Sequence, residues 1–220
     1  MALEINAPCP AFDLPGTDDE NHSLASFSGD LLVVIVSCNH CPYVIAYEPR
    51  IVALAKEYGP KKVDFVAVNA NDATRYPDDG MQPMKVRARE RGFPFPYLRD
   101  DSQAFVRALG ARFTPEVFVF DRDRKLRYHG RIDDNHRDEA RVTARDLRSA
   151  LDALLAGADP PGVRPLTFER DVRPILREHC VHCHGEEGRP KSGLDLRLVR
   201  SMLAGGLTGE AIVPGDSEGS

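Results

Sequence analysis

No stretch of this 220-residue chain stays apolar for long. The longest run, Leu31 to Val36, falls far short of the roughly 20 residues that cross a bilayer as a helix, so no transmembrane segment is expected. Met1 to Pro15 carries no basic region followed by an apolar stretch, so no export signal is visible. Positive charge is not in excess: 29 Lys and Arg stand against 34 Asp and Glu, a net charge of −5, which argues against a general grip on nucleic acid phosphates. There is no internal repeat and no low-complexity tract. Cysteine is limited to five residues, four of them in two C-x-x-C pairs, which points to redox or metal chemistry rather than the disulfide framework of a small secreted domain. Cys9, outside both pairs, reads as a small core hydrophobe and is assigned no role.

What is present is ordinary globular material, with 42% hydrophobic and 29% charged residues, enough for one large domain or a domain plus a small module. Leu31–Val36 is continuously apolar and β-branched, as expected of a central strand covered on both faces. Beyond Pro42, Tyr47, Ile51, Leu54, Ala55 and Tyr58 follow helical spacing, and Gly59-Pro60 supplies a stop. A strand over Val63 to Asn69 follows, and a connection of this length implies a parallel pair with a right-handed crossover, hence an α/β fold. Short helices are expected over Met84 to Arg91 and Ser102 to Leu109. Strands over Glu116 to Phe120 and Lys125 to Tyr128 should form an antiparallel hairpin through Asp121–Arg124.

Thr143-Ala-Arg-Asp146 resembles a capping box ahead of an apolar face of Leu147, Ala150, Leu151, Leu154 and Leu155, with Gly157 in C-cap position. These features predict a first domain over 1–157, a turn-rich linker over 158–165 and a second module over 166–220. That module opens with an amphipathic pattern at Phe168, Val172, Ile175 and Leu176.

Cys38-Asn-His-Cys41 stands where the buried strand passes into the following helix, a place where open α/β sheets gather functional groups. Helix amides and the positive end of the helix dipole are expected to bring the Cys38 thiol below its ordinary value of about 8.5, aided by His40. Cys38 is then the exposed nucleophile, and Cys41, one turn inside the helix, resolves the mixed disulfide. A structural half-site for zinc, or two inert core thiols, are the alternatives.

The order strand, C-N-H-C-P, helix, strand, then Thr114-Pro115 before Glu116–Phe120, resembles the thioredoxin-like superfamily, particularly redoxin (AhpC/TSA-like) domains with a C-N-H-C-P-Y motif. Asn69-Ala-Asn-Asp72, Tyr76-Pro77, Phe95–Leu98 and Arg131–Asn135 resemble segments of the same subgroup. The resemblance implies a thioredoxin fold over about residues 1–157, with a central mixed sheet flanked by helices. It also implies that Pro115 is a cis-proline facing the dithiol, leaving the Thr114 backbone to pair with an extended substrate. Ala7–Asp13 resembles the start of a peroxiredoxin, but the P-x-x-x-T/S-x-x-C signature is missing. Val34 and Cys38, or Leu31 and Ile35, occupy its Pro and Thr positions, so thiol–disulfide exchange ranks above peroxide reduction.

Cys180-Val-His-Cys183-His184 is the pattern of covalent haem attachment, in which two thiols join the porphyrin and the histidine ligates iron. Zinc is the alternative, but the two C-x-x-C units are too far apart for a ribbon-type site; His179 and His182 could complete only a local one. Phe168–Leu176, C-x-x-C-H-G, Lys191–Leu196 and Ala211–Asp216 resemble planctomycete-type cytochrome c domains over about 166–220. The resemblance implies haem c bound by Cys180 and Cys183 with His184 as axial ligand, in a small, mainly α module. In such domains more chain follows, including a distal methionine. Met202 has the spacing of a packed apolar residue, so the module is expected to be incomplete, with an open sixth position on iron.

The expected activity is thiol–disulfide oxidoreduction coupled to a haem electron-transfer module. Its partners would be a disulfide-bearing protein or small thiol and an electron donor or acceptor protein. The alternatives are a peroxiredoxin-like hydroperoxide reductase, and an interaction or sensor module whose C-x-x-C-H holds zinc or nothing. Haem attachment implies an extracytoplasmic location, whereas the missing signal peptide implies a cytoplasmic one.

Overall fold

The apolar run after Asp30 lies at the centre of a sheet because both of its faces are covered. A computed structural model describes residues 3–160, 176–177, 180–186, 193–197 and 199–206. The chain divides into two compact units, Met1–Pro165 and Leu166–Ser220.

In the first unit a short antiparallel pair, β1 (Asp13–Pro15) and β2 (Asn21–Ser23), precedes the central strand β3 (Leu31–Ser37). There follow α1 (Pro42–Tyr58), β4 (Val63–Asn69), α2 (Met81–Arg91), β5 (Tyr97–Arg99), α3 (Ala104–Leu109), β6 (Glu116–Phe120), β7 (Leu126–Gly130) and α4 (Asp146–Leu155). The five-stranded sheet has the order β5-β4-β3-β6-β7. β3, β4 and β5 run parallel, while β6 and β7 add an antiparallel hairpin. This is the mixed sheet flanked by helices that the sequence implied.

Alternation along β3 divides the core. Leu31, Val33 and Ile35 pack with Tyr47, Ile51 and Leu54 of α1 and with Leu147, Ala150 and Leu151 of α4. Leu32, Val34 and Val36 face the other way, toward Phe12, Phe105, Val106 and Leu109. With helices on both faces, no position of β3 is left for a polar side chain until Ser37.

Three details differ from the sequence reading. The three-residue strands β1, β2 and β5 are too short to show a period of two. Thr143 does not cap α4: its amide and hydroxyl bind the carboxylate of Asp134, and the N-cap is Arg145. α2 begins at Met81, ahead of the expected Met84, on Gly80 as N-cap.

In the second unit the described residues include the turn His182–Glu186, which is non-helical at His184 and Gly185, and a short helix α5 (Val199–Ala204). Val181 and Met202 are buried. The expected amphipathic face at Phe168, Val172 and Ile175, together with His179 and the Ala211–Asp216 segment, lies outside the described residues.

Candidate active site

The chain leaves β3 at Ser37 and enters α1 at Pro42, so the C-x-x-C segment is the bend between strand and helix. Pro42 occupies the first helical turn, where its missing N–H costs no bond, and Cys41 is the N-cap. The helix therefore starts later than the sequence reading had it. Cys38 is buried at 1% exposure, while Cys41 at the helix mouth is half-buried. The expectation of an exposed, acidic Cys38 is thereby corrected. Burial pushes the Cys38 thiol up, and hydrogen bonds from the Thr114 hydroxyl and the Cys41 amide only partly offset it.

Both sulfurs meet one residue of another loop. Cys38 Sγ lies 3.4 Å from Thr114 Oγ1, and the Cys41 thiol donates to the Thr114 carbonyl over 3.4 Å. The Thr114–Pro115 peptide is cis, as the family resemblance implied. The loop is held from behind by Glu116, whose Oε2 accepts the amides of Arg112 and Phe113 at 2.7 and 3.3 Å. Its Oε1 pairs with buried His129 at 2.6 Å.

A third element, absent from the sequence reading, lies on the other side of the dithiol. Asp79 is fully buried. Its Oδ1 accepts the Asn39 amide at 2.6 Å and Asn69 Nδ2 at 2.9 Å; its Oδ2 accepts His40 Nδ1 at 2.6 Å and Asn71 Nδ2 at 3.0 Å. Burial would raise its pKa, but these four donors outweigh burial and hold the carboxyl below its ordinary value. Arg99 supports the same turn by donating to the carbonyls of Asp79 and Asn71. Asn39 completes the frame, donating to the Asp78 carbonyl and accepting from Tyr97. The ring of His40 stacks on Tyr76 with centroids 4.6 Å apart.

Atoms of Cys38, His40 and Asp79 lie within 4.8 Å of one another. Asp79 has both oxygens committed to four donors, one of them His40, so the trio is not an open metal-ligand set. Asn69 and Asn71 thus have a purpose that their place in the sequence did not reveal. Asp133, in the Arg131–Asn135 segment, likewise ties the loop to α1 through Tyr47 and Arg50.

The dithiol opens onto a groove of about 550 Å³ lined by His40, Tyr76, Gln103, Arg107, Arg112 and Phe113, among others. Among the described residues no carboxylate lines it. A bend presenting two thiols between a cis-proline loop and such a groove can exchange a disulfide with a bound chain.

Residues 4–147 match the family model described as Redoxin. The chain belongs to the redoxin family. The redoxin unit is similar to an uncharacterised conserved protein from Geobacillus kaustophilus: 40% identity over 73% of this chain and 87% of that one, TM-score 0.70. A hypothetical protein from Sinorhizobium meliloti 1021 is 33% identical over 74% of this chain and 91% of the other, TM-score 0.71. The thioredoxin domain of a thiol-disulfide oxidoreductase from Bacteroides vulgatus shares the fold, at 14% identity over 58% and 89% of the two chains and a TM-score of 0.51. No curated protein matches. The thioredoxin-like fold is thereby established for the redoxin unit.

In the second unit, residues 180–220 match the family model described as Planctomycete cytochrome C. Cys180, Cys183 and His184 are all half-buried, and neither cysteine is in a disulfide. The His184 amide donates to the Cys180 carbonyl at 3.0 Å, closing the turn that carries the three side chains. His184 Nδ1 lies 3.3 Å from the Leu194 carbonyl, an acceptor that requires the proton on Nδ1 and leaves Nε2 as a ligand nitrogen. Two thiols and a histidine oriented in this way fit a c-type haem.

Proposed function

We propose that this redoxin is a thiol–disulfide oxidoreductase whose substrate is a disulfide-bearing protein or small thiol compound. The observation that carries this reading is the convergence of the Cys38 and Cys41 sulfurs on Thr114 beside an open groove. Cys41, half-buried at the N-cap of α1, meets the substrate sulfur, and Cys38 behind it closes the ring. This reverses the roles expected from sequence, because the more accessible thiol is the one a substrate reaches. The Cys41 thiolate bonds to one substrate sulfur, and the other leaves and is protonated; Cys38 then displaces the second as Cys38–Cys41 forms. Two electrons pass from the dithiol to the substrate disulfide.

Cys180 and Cys183 would hold haem c by two thioethers, and His184 would supply an axial nitrogen. Bound there, haem carries single electrons. The chain's own contribution is the tautomer of His184, fixed by the Leu194 carbonyl. A partner protein that donates or accepts electrons belongs to this reading.

Disulfide reduction by the reduced full chain tests the first part. Wild type should turn over, while Cys41→Ser should be inactive and Cys38→Ser should stall as a mixed disulfide. Turnover that survives both substitutions would overturn it. Expression with an export signal, followed by haem staining of a denaturing gel, tests the second part. Covalent haem lost in Cys180→Ala/Cys183→Ala is expected, and an unstained band with bound zinc would refute it.

A further inference from the structure

We propose that His40 is the base that takes the proton from the buried Cys38 thiol, and that Asp79 is the positioning residue that sets the tautomer of His40. The inference rests on the dithiol-exchange reading and deepens it.

A thiol that burial pushes up, as at Cys38, is a poor nucleophile near neutrality unless a group beside it accepts its proton. His40 is in place, with an atom within 4.8 Å of the Cys38 sulfur, and it is partly exposed. Its geometry is fixed from two sides, by the Tyr76 ring and by Asp79. Asp79 sits below its ordinary pKa and is ionised at neutral pH, so its oxygens only accept. The proton in the 2.6 Å contact therefore belongs to His40 Nδ1, and Nε2 is left as the proton acceptor. A nucleophile, an imidazole and a buried carboxylate that orients it form an arrangement that can activate a thiol.

Asp79 fits a positioning role and not that of the base. It is fully buried, and its four donors stabilise the charged form. It also grips the Asn39 amide, so one carboxylate fixes both the bend between the cysteines and the ring that serves them. The other ionisable groups around His40 are Cys41, Tyr76, Arg75 over the Tyr76 ring, Arg99 behind Asp79, and Arg107 and Arg112 in the groove.

The step balances within the exchange. With Cys41 in a mixed disulfide, the Cys38 proton passes through one bridging water to His40 Nε2. The Cys38 sulfur bonds to Cys41, the Cys41–substrate bond breaks, and the departing thiolate takes the proton back from the imidazolium. His40 ends as it began.

The test is the pH profile of disulfide reduction by the full chain for wild type, His40→Ala and Asp79→Asn, with an aromatic disulfide that reports released thiol. At pH 7 His40→Ala should be about 100-fold slower. The deficit should close as the pH rises toward that at which Cys38 ionises unaided, and added imidazole should restore part of the rate. Asp79→Asn should be slowed in the same pH range, since an amide can stabilise the wrong tautomer. Should Asp79→Asn fail to fold, His40→Ala, at a partly exposed position, decides the matter by itself. Parallel profiles for wild type and His40→Ala, or a deficit constant across pH and indifferent to imidazole, would overturn the dyad while leaving the exchange reading intact. A wild-type chain that reduces no disulfide and never forms Cys38–Cys41 would overturn both.

Discussion

His129 Nε2 stands 2.6 Å from Glu116 Oε1, both side chains buried, and the second oxygen of the same carboxylate holds the amides of Arg112 and Phe113. Glu116→Ala should therefore do two things at once. It leaves a buried imidazole and two amides without their acceptor, at a cost of about 1–3 kcal/mol in urea unfolding. It also loosens the loop carrying Thr114, so disulfide reduction should slow by more than the lost folded fraction explains. A variant of unchanged rate would show that the loop is held from elsewhere.

Asp133 and Arg50 are a buried pair joining α1 to the loop after β7. Removing one partner strands the other charge, so Asp133→Ala should cost about 3–5 kcal/mol. The double variant Arg50→Met/Asp133→Leu should recover most of that loss in thermal or urea unfolding. Equal destabilisation of single and double variants would mean that the hydrogen bonds to Tyr47 and the loop backbone, not the stranded charge, dominate.

The accessibility of the thiols sets an order of alkylation in the native reduced chain. Within the redoxin unit Cys41 should react first, ahead of the buried Cys38 and Cys9, as mapped by mass spectrometry after timed quenching. Labelling of Cys38 ahead of Cys41 would contradict the assignment of substrate contact to Cys41.

Burial pushes the Cys9 thiol to about 12, with Arg124 a smaller opposing influence. Unfolded, the same thiol ionises near 8.5. The folded state thus holds its proton where the unfolded state releases it. Stability from this group is intact below about pH 8.5 and falls as the pH climbs toward 12. Cys9→Ala should flatten the alkaline limb of the stability curve relative to wild type. Superimposable limbs would place the alkaline loss at other groups.

The fold was legible where residues repeat a pattern. Leu31–Val36 marked the central strand, Tyr47 to Tyr58 marked α1, and the hairpin of β6 and β7 followed from two apolar runs around a polar turn. The pattern failed where distance in sequence hides proximity. Asp79 has no local signature: it sits in a turn among other acidic residues, and only the sheet order brings it under His40. The helix start was misplaced because C-x-x-C says that two cysteines are close but not which of them the strand buries. That decision is made by the length of β3, which carries Cys38 to the edge of the core before the chain turns at Pro42.

Thr114 touches both sulfurs, one with its hydroxyl and one with its carbonyl. A thiol can donate a hydrogen; a disulfide cannot. When Cys38 and Cys41 join, the Thr114 carbonyl loses the donor it had from Cys41. An incoming strand's backbone N–H can supply what the sulfur no longer does. The two oxidation states of the chain therefore differ in what they ask of a partner: one presents an acceptor already answered, the other an acceptor waiting.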